Sequence, residues 1–194
     1  MLKGLFSKGL FFCTLLCALF TISACAPKPV KMIFAPPSEQ GQSNLYRGEN
    51  YQITVNDYRA EKHLLKVIRG DDTEHHQPGS PIIQNLTKSL KQSFKHQGIT
   101  VNDYAGDQII VDIIQLETVV EQTLVDYQAS MSVELKVTIK NGNKRTYKHF
   151  TGHSERSNYL KYDLALLERD LNALIERVLA DMYADSYIQQ SIQA

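Results

Sequence analysis

The residues best placed to do chemistry are Ile22-Ser23-Ala24-Cys25, at the end of a short apolar run. A thiol after small residues can be alkylated to a thioether, and the peptide bond before it can then be cut. The pattern reads as a lipobox, with cleavage between Ala24 and Cys25 and a diacylglyceryl group on Cys25. Lys3 and Lys8 supply a positive start, and Leu10 to Phe20 an uncharged core. That core fits the 7–15 residues of a signal segment and falls short of the roughly 20 needed to span a bilayer. Each buried CH₂ contributes about 0.8 kcal/mol, so two or three long chains hold a protein essentially permanently. In the bacterial lipoprotein pathway, which the motif resembles, an Asp after the cysteine favours the inner membrane. Ala26 therefore points to the outer membrane, on its periplasmic face.

Other chemistry-bearing groups are sparser. His75-His76 lie beside Asp71, Asp72 and Glu74 in a polar stretch, but a zinc site needs three or four convergent ligands. His149 and His153 are four apart, a metal-binding spacing on a helix; on a strand it spans about 13 Å, too far to share an ion. Ser154-Glu155 and scattered Ser, His and Asp residues contain the parts of a hydrolase triad without a Gly-x-Ser-x-Gly elbow. Asn85-Leu86-Thr87 matches a glycosylation sequon inside an expected helix. The reading is of a chain with no metal, no cofactor and no catalytic residues. Tyr159, Tyr162, Tyr183 and Tyr187 cluster near the ends of the last expected helix, and tyrosine suits interfaces as well as helix-end packing.

The elements that must position these groups follow from periodicity. Residues 25–48 read as a lipidated cysteine and tether, punctuated by Pro27, Pro29, Pro36, Pro37 and Gly41, with Val30 to Phe34 a candidate edge strand. A single domain spans 49–194. Tyr51 to Val55 and Leu64 to Ile68 read as strands, and Gly70 to Gly79 as a polar loop. Ser80-Pro81 opens a helix with Ser80 as N-cap and Gly98 past its end. Gln108 to Val120 is a long central strand. Tyr127 to Lys140 alternates apolar and polar residues without a break and leads into Asn141-Gly142, a hairpin signal. A two-residue loop there puts Phe150 on the core side of the returning strand, and a three-residue loop puts Tyr147 there. A second helix is expected over Tyr159 to Tyr183, on a stripe from Leu160 to Met182, with a short tail to Ile192.

Two amphipathic helices need a surface to cover. The expected fold is therefore α+β: a two-layer sandwich, mainly antiparallel, with both helices on one face. Cleavage before Cys25 would remove Cys13 and Cys17, so no disulfide is available and the core alone must hold the fold. Lysine plus arginine equals aspartate plus glutamate at 21 each, which argues against nucleic acid as a partner.

The lipobox, the proline-rich tether, Pro81 to Gly98, the alternating strand into Asn141-Gly142-Asn143-Lys144, and the leucine-rich C-terminal helix ending in Ala180-Asp181-Met182 together resemble the YajG-type bacterial lipoproteins. The resemblance implies a Gram-negative envelope lipoprotein without an established enzymatic activity. The expectation is a non-enzymatic, lipid-anchored domain that binds or scaffolds an envelope protein, its own contact with the membrane made by acyl groups on Cys25. Two rivals stand beside it: an accessory subunit of a lipid or lipopolysaccharide transporter, and an envelope hydrolase. A lined apolar cavity favours the first, a cleft with a nucleophile and a perturbed acid or base the second, and a closed core with an exposed sheet face the scaffold.

Overall fold

The computed structural model describes residues 31–38 and 43–194. The lipobox, with Ala24 and Cys25, lies outside them, as do Val30 and Gly41. Seven strands and three helices follow in order: β1 (Asn50–Asp57), β2 (Leu65–Arg69), β3 (Asp72–His76), α1 (Ile82–His96), β4 (Thr100–Val101), β5 (Asp107–Gln122), β6 (Asp126–Asn141), β7 (Lys144–Tyr159), α2 (Leu164–Ala184) and α3 (Ser186–Gln193).

The architecture is α+β, with two departures from the expected sandwich. The sheet is mixed and strongly curled into a half-barrel, and three helices are present. The long strands β5, β6 and β7 are antiparallel neighbours, but β1 and β2 both run parallel to β5 on its other edge. β1 takes the first half of β5 (Tyr51 opposite Asp107) and β2 the second (Leu65 opposite Thr118). Between these halves β5 carries a bulge at Ile114. The inward residues are Ile109, Val111 and Ile113 before it, and Leu116, Thr118 and Val120 after it. One extra residue thus reverses the parity of the strand, and a bulge also bends it, which helps the sheet curl.

β6 alternates without interruption: Tyr127, Ala129, Met131, Val133, Leu135, Val137 and Ile139 are all buried. The β6–β7 turn has two loop residues, Gly142 and Asn143, with Asn141 paired to Lys144. Gly142 has φ 55° and Asn143 is not in the positive region, the arrangement of a type II′ turn. Phe150 therefore faces the core and Tyr147 faces out.

The three helices fill the concave side. Ser80 does not cap α1: Pro81 holds the cap position without a side-chain bond, and the Ser80 hydroxyl is spent elsewhere. Gly98 follows the helix at φ 101°, as expected. α2 begins later than its apolar periodicity suggests, because β7 runs on to Tyr159 and Asp163 is the true cap, accepting from the Ala165 amide at 2.9 Å. Leu160 is thus not part of the helix stripe. The expected tail is a separate helix, α3, capped by Asp185. Tyr51 donates to the Ile192 carbonyl at 2.9 Å and pins α3 to β1; burial, then Asp107 and Glu49, push its phenol well above the ordinary value, so it stays a donor.

Residues 31–38 do not form a ladder strand. They lie as an extended strap between α1 and α2, with one isolated bridge from Met32 to Pro78. Met32 and Phe34 are fully buried. Phe34 exchanges bonds with the Ser80 hydroxyl (2.9 Å each way) and accepts from Asn85, while the Ser89 hydroxyl donates to the Pro37 carbonyl. On the other side, the Ile33 amide donates to Glu168 at 2.7 Å, and Asn172 accepts from Ala35 and donates to the Ile33 carbonyl. Tyr46, also before the expected boundary at 49, is buried 6.5 Å from the Phe94 ring.

Candidate functional site

Along β5, β6 and β7 the inward side chains are mostly buried, whereas the outward ones, Thr138 apart, are half-buried or exposed and form a broad face. Strand pairing lays its side chains in rows across the three strands: Asp112, Lys136 and His149; Gln115, Glu134 and Thr151; Glu117, Ser132 and His153. Cross-strand contacts then tie the rows together. His149 Nδ1 lies 2.8 Å from Glu134 Oε1, Lys136 sits over the Tyr147 ring at 5.3 Å, and Lys140 donates to Gln108 at 3.0 Å. The result is a polar plate with both signs of charge interleaved.

Within it, Ser132, His153 and Glu155 form a chain of contacts that superficially matches a hydrolase triad. Ser132 Oγ is 3.4 Å from His153 Nδ1, and His153 Nε2 is 3.1 Å from Glu155 Oε1. The His153 and Glu155 side chains are 57% and 60% exposed. Water competes for every hydrogen bond on such an open face, and no wall shields a reacting group. Ser154, singled out from the sequence, points to the other side of the strand, opposite Met131. The plate is open, polar and mixed in charge.

The remaining candidates disperse. His75 and His76 lie on β3, a polar edge strand where a loop was expected; its residues pair with β2 through backbone bonds and carry no apolar periodicity to reveal it. Alternation sends the two histidines to opposite faces. His75 packs against His63 at 4.4 Å between ring centroids, and His76 lies 3.3 Å from Glu74, which also holds Arg69 at 2.5 Å. Among the described residues no three metal-ligating side chains converge. His149 and His153 engage different partners, as a strand requires. Asn85 has its amide committed to the Phe34 carbonyl. The tyrosine cluster divides: Tyr162 packs on Tyr127 and Tyr183 on Phe94, whereas Tyr159 and Tyr187 are exposed.

One residue that the sequence reading missed organises the plate's border. Arg59 is buried in the gap between β1 and β2, beside the bulge of β5. It makes a bidentate pair with Asp57, 3.0 Å to each oxygen, and donates to the carbonyls of Leu116 (3.1 Å) and His63 (3.2 Å). Burial alone would raise the Asp57 pKa, but the bonds and charge of Arg59, with help from Lys62, hold it below the usual carboxylate range. A single arginine in a loop gives no periodic signal that could have announced this. Clefts open on the surface among the described residues, including about 260 Å³ beside Arg59, about 500 Å³ at the Thr123–Asp126 end of the sheet, and about 100 Å³ between the strap and α2.

A family model described as "Uncharacterized lipoprotein" matches residues 36–193. The chain belongs to this lipoprotein family. The match supports the resemblance to YajG-type lipoproteins, and it begins inside the strap, at Pro36. No curated protein matches this lipoprotein in sequence. Among solved structures it is similar to a Xanthomonas campestris protein of family DUF330, with 14% identity, a TM-score of 0.55, and 84% of this chain and 99% of that one covered. A putative neuraminyllactose-binding hemagglutinin homolog from Helicobacter pylori also aligns, at 8% identity and a TM-score of 0.40, covering 81% of this chain and 96% of that one. The first likeness supports the fold. No helix among the described residues is long and apolar enough to cross a membrane.

Proposed function

We propose that this lipoprotein is held by acyl chains on Cys25 at the periplasmic face of the outer membrane, and that its domain is a non-catalytic binding or scaffolding module. The docking surface is the polar outer plate of β5, β6 and β7. One observation carries the reading: the concave side is filled and the convex side is bare. The core runs continuously from Met32 and Phe34 through the sheet to α1, α2 and α3. The strap already occupies the space between α1 and α2 in which an acyl chain would have to lie, which weighs against a lipid-carrying subunit. The solvated Ser132–His153–Glu155 contacts weigh against a hydrolase.

The test is site-specific photo-crosslinking in cells, with a crosslinker placed at Lys136 or Thr151 on the plate and at Arg177 on the outer surface of α2. The reading expects the same discrete adduct from Lys136 and Thr151 and none from Arg177. Adducts from Arg177 alone, or none from the plate, would contradict it.

A further inference from the structure

β5, β6 and β7 end together at one pole of the molecule, where four large apolar side chains stand in solvent. Leu124 and Val125 form the β5–β6 turn, and Tyr159 and Leu160 end β7. Their exposures are 101%, 66%, 81% and 74%. The two segments are joined, since the Leu160 amide donates to the Val125 carbonyl at 2.8 Å. Leu160 has φ 70°, and it is the one non-glycine residue with positive φ among those described. A leucine there is strained where glycine or asparagine would be at ease, and its side chain gains no burial in return. Exposed apolar residues grouped in this way mark a contact surface.

The strap shows what lies opposite. From Pro37 back to Met32 its bonds climb α1 from Ser89 through Asn85 to Ser80, and α2 from Asn172 to Glu168. The chain therefore travels toward the N-terminal ends of both helices as it approaches Lys31. α2 starts at Leu164, four residues after Leu160, and Glu168 is only about one helical turn, ~6 Å, further along. Ile33, half exposed, sits at this same end. Cys25 lies six chain steps before Lys31, a reach of about 20 Å at most. The acyl group proposed on Cys25 can therefore lie no further than that reach from Lys31, whereas the opposite pole at Asn143 lies about 50 Å from Tyr159 along the sixteen residues of β7.

We infer that the pole formed by Leu124, Val125, Tyr159 and Leu160 rests in the surface of the bilayer that carries the Cys25 acyl chains. The inference rests on the anchoring proposed above and adds an orientation to it: the long strands stand up from the membrane. Tyrosine suits the headgroup level, and leucine and valine the boundary beneath it. Glu121 and Asp126 line a cleft beside Tyr159, and Lys161 and Asp163 closely follow Leu160 in the chain, so charges of both signs border the pole and the contact is apolar in kind and does not need anionic lipid. Asp126 and Asp163 are engaged locally, with Thr123 and the Ala165 amide.

The experiment uses the full acylated protein in phosphatidylethanolamine–phosphatidylglycerol vesicles containing headgroup spin-labelled lipid. A fluorophore is attached at Leu124→Cys, Leu160→Cys or Asn143→Cys, all exposed positions. Flotation with the vesicles reports anchoring separately. The expected result is several-fold quenching at 124 and 160 and none at 143, unchanged by omitting phosphatidylglycerol. Protein that floats with no quenching at 124 and 160, or with equal quenching at 143, overturns the orientation and leaves anchoring intact. Self-quenching at 124 that rises with protein density, without lipid quenching, assigns the pole to a second copy and overturns the proposal. Protein that fails to float overturns both.

Discussion

Gly152 of β7 lies directly beneath Val178 of α2: a methyl group placed on the glycine would come 2.6 Å from Val178 Cγ2 and 2.9 Å from Leu174 Cδ1. The backbone of β7 and the side chains of α2 are therefore in immediate contact, and the absent Cβ sets how closely the helix seats. Gly152→Ala should destabilise the domain by about 1–3 kcal/mol through overpacking. Chemical denaturation measures it. In a double-mutant cycle Val178→Ala should recover part of the loss, and strict additivity would mean that the contact is not what Gly152 serves.

The same seat depends on the apolar face of α2. Leu171→Ala should cost about 2–5 kcal/mol, since Leu171 is fully buried. A loss near zero would place the wrong face of the helix on the sheet.

Arg59 holds together an edge that strand pairing leaves open. Removing the guanidinium leaves the Asp57 carboxylate, at 15% exposure, with only Lys62 and the residue-59 amide as partners, and strips the donor from the His63 and Leu116 carbonyls. Arg59→Met should destabilise by about 3–5 kcal/mol. Hydrogen exchange should accelerate first in β2 and the loop before it. Uniform acceleration across the sheet would argue against a local clamp.

The pH dependence has two parts. Burial, and then the charge of His75, push the His63 pKa down. An unfolded histidine titrates near ~6.5, so below that pH the unfolded chain binds the proton that folded His63 refuses. This contribution is complete above about pH 6.5 and is lost as pH falls toward the folded value. Asp57 and Asp170 keep lowered pKa values because their arginine partners outweigh burial, and Asp185 chiefly through its bond with Lys148. Their stabilisation is present above about pH 4 and disappears as pH falls through their folded values. His63→Gln should flatten the stability slope between pH 7 and 5 and leave the acid limb below pH 4 intact. An unchanged upper slope would contradict the assignment to His63.

Much of the plate was legible in the sequence because β6 has a strict period of two and a glycine at its turn. Asn141-Gly142 marked the hairpin, although the loop residues proved to be Gly142 and Asn143. The rest was hidden for identifiable reasons. The bulge at Ile114 shifts the parity of β5, so its two halves do not read as one alternating strand. β3 is held by backbone pairing at an edge and needs no apolar face. Parallel pairing of β1 and β2 with β5 depends on contacts far apart in sequence. Prolines at 36 and 37 suggested a free tether, yet Met32 and Phe34 anchor that segment in the core. Leu160 continued the helical apolar period by coincidence of spacing.

The proposed tie to the envelope is tested most directly by mass spectrometry of the N-terminal fragment of the protein purified from its native membrane. The account predicts a fragment that begins at Cys25 and carries the mass of a diacylglyceryl group with or without an added acyl chain. A fragment that begins at Met1, or one that begins at Cys25 with a free thiol, would contradict it.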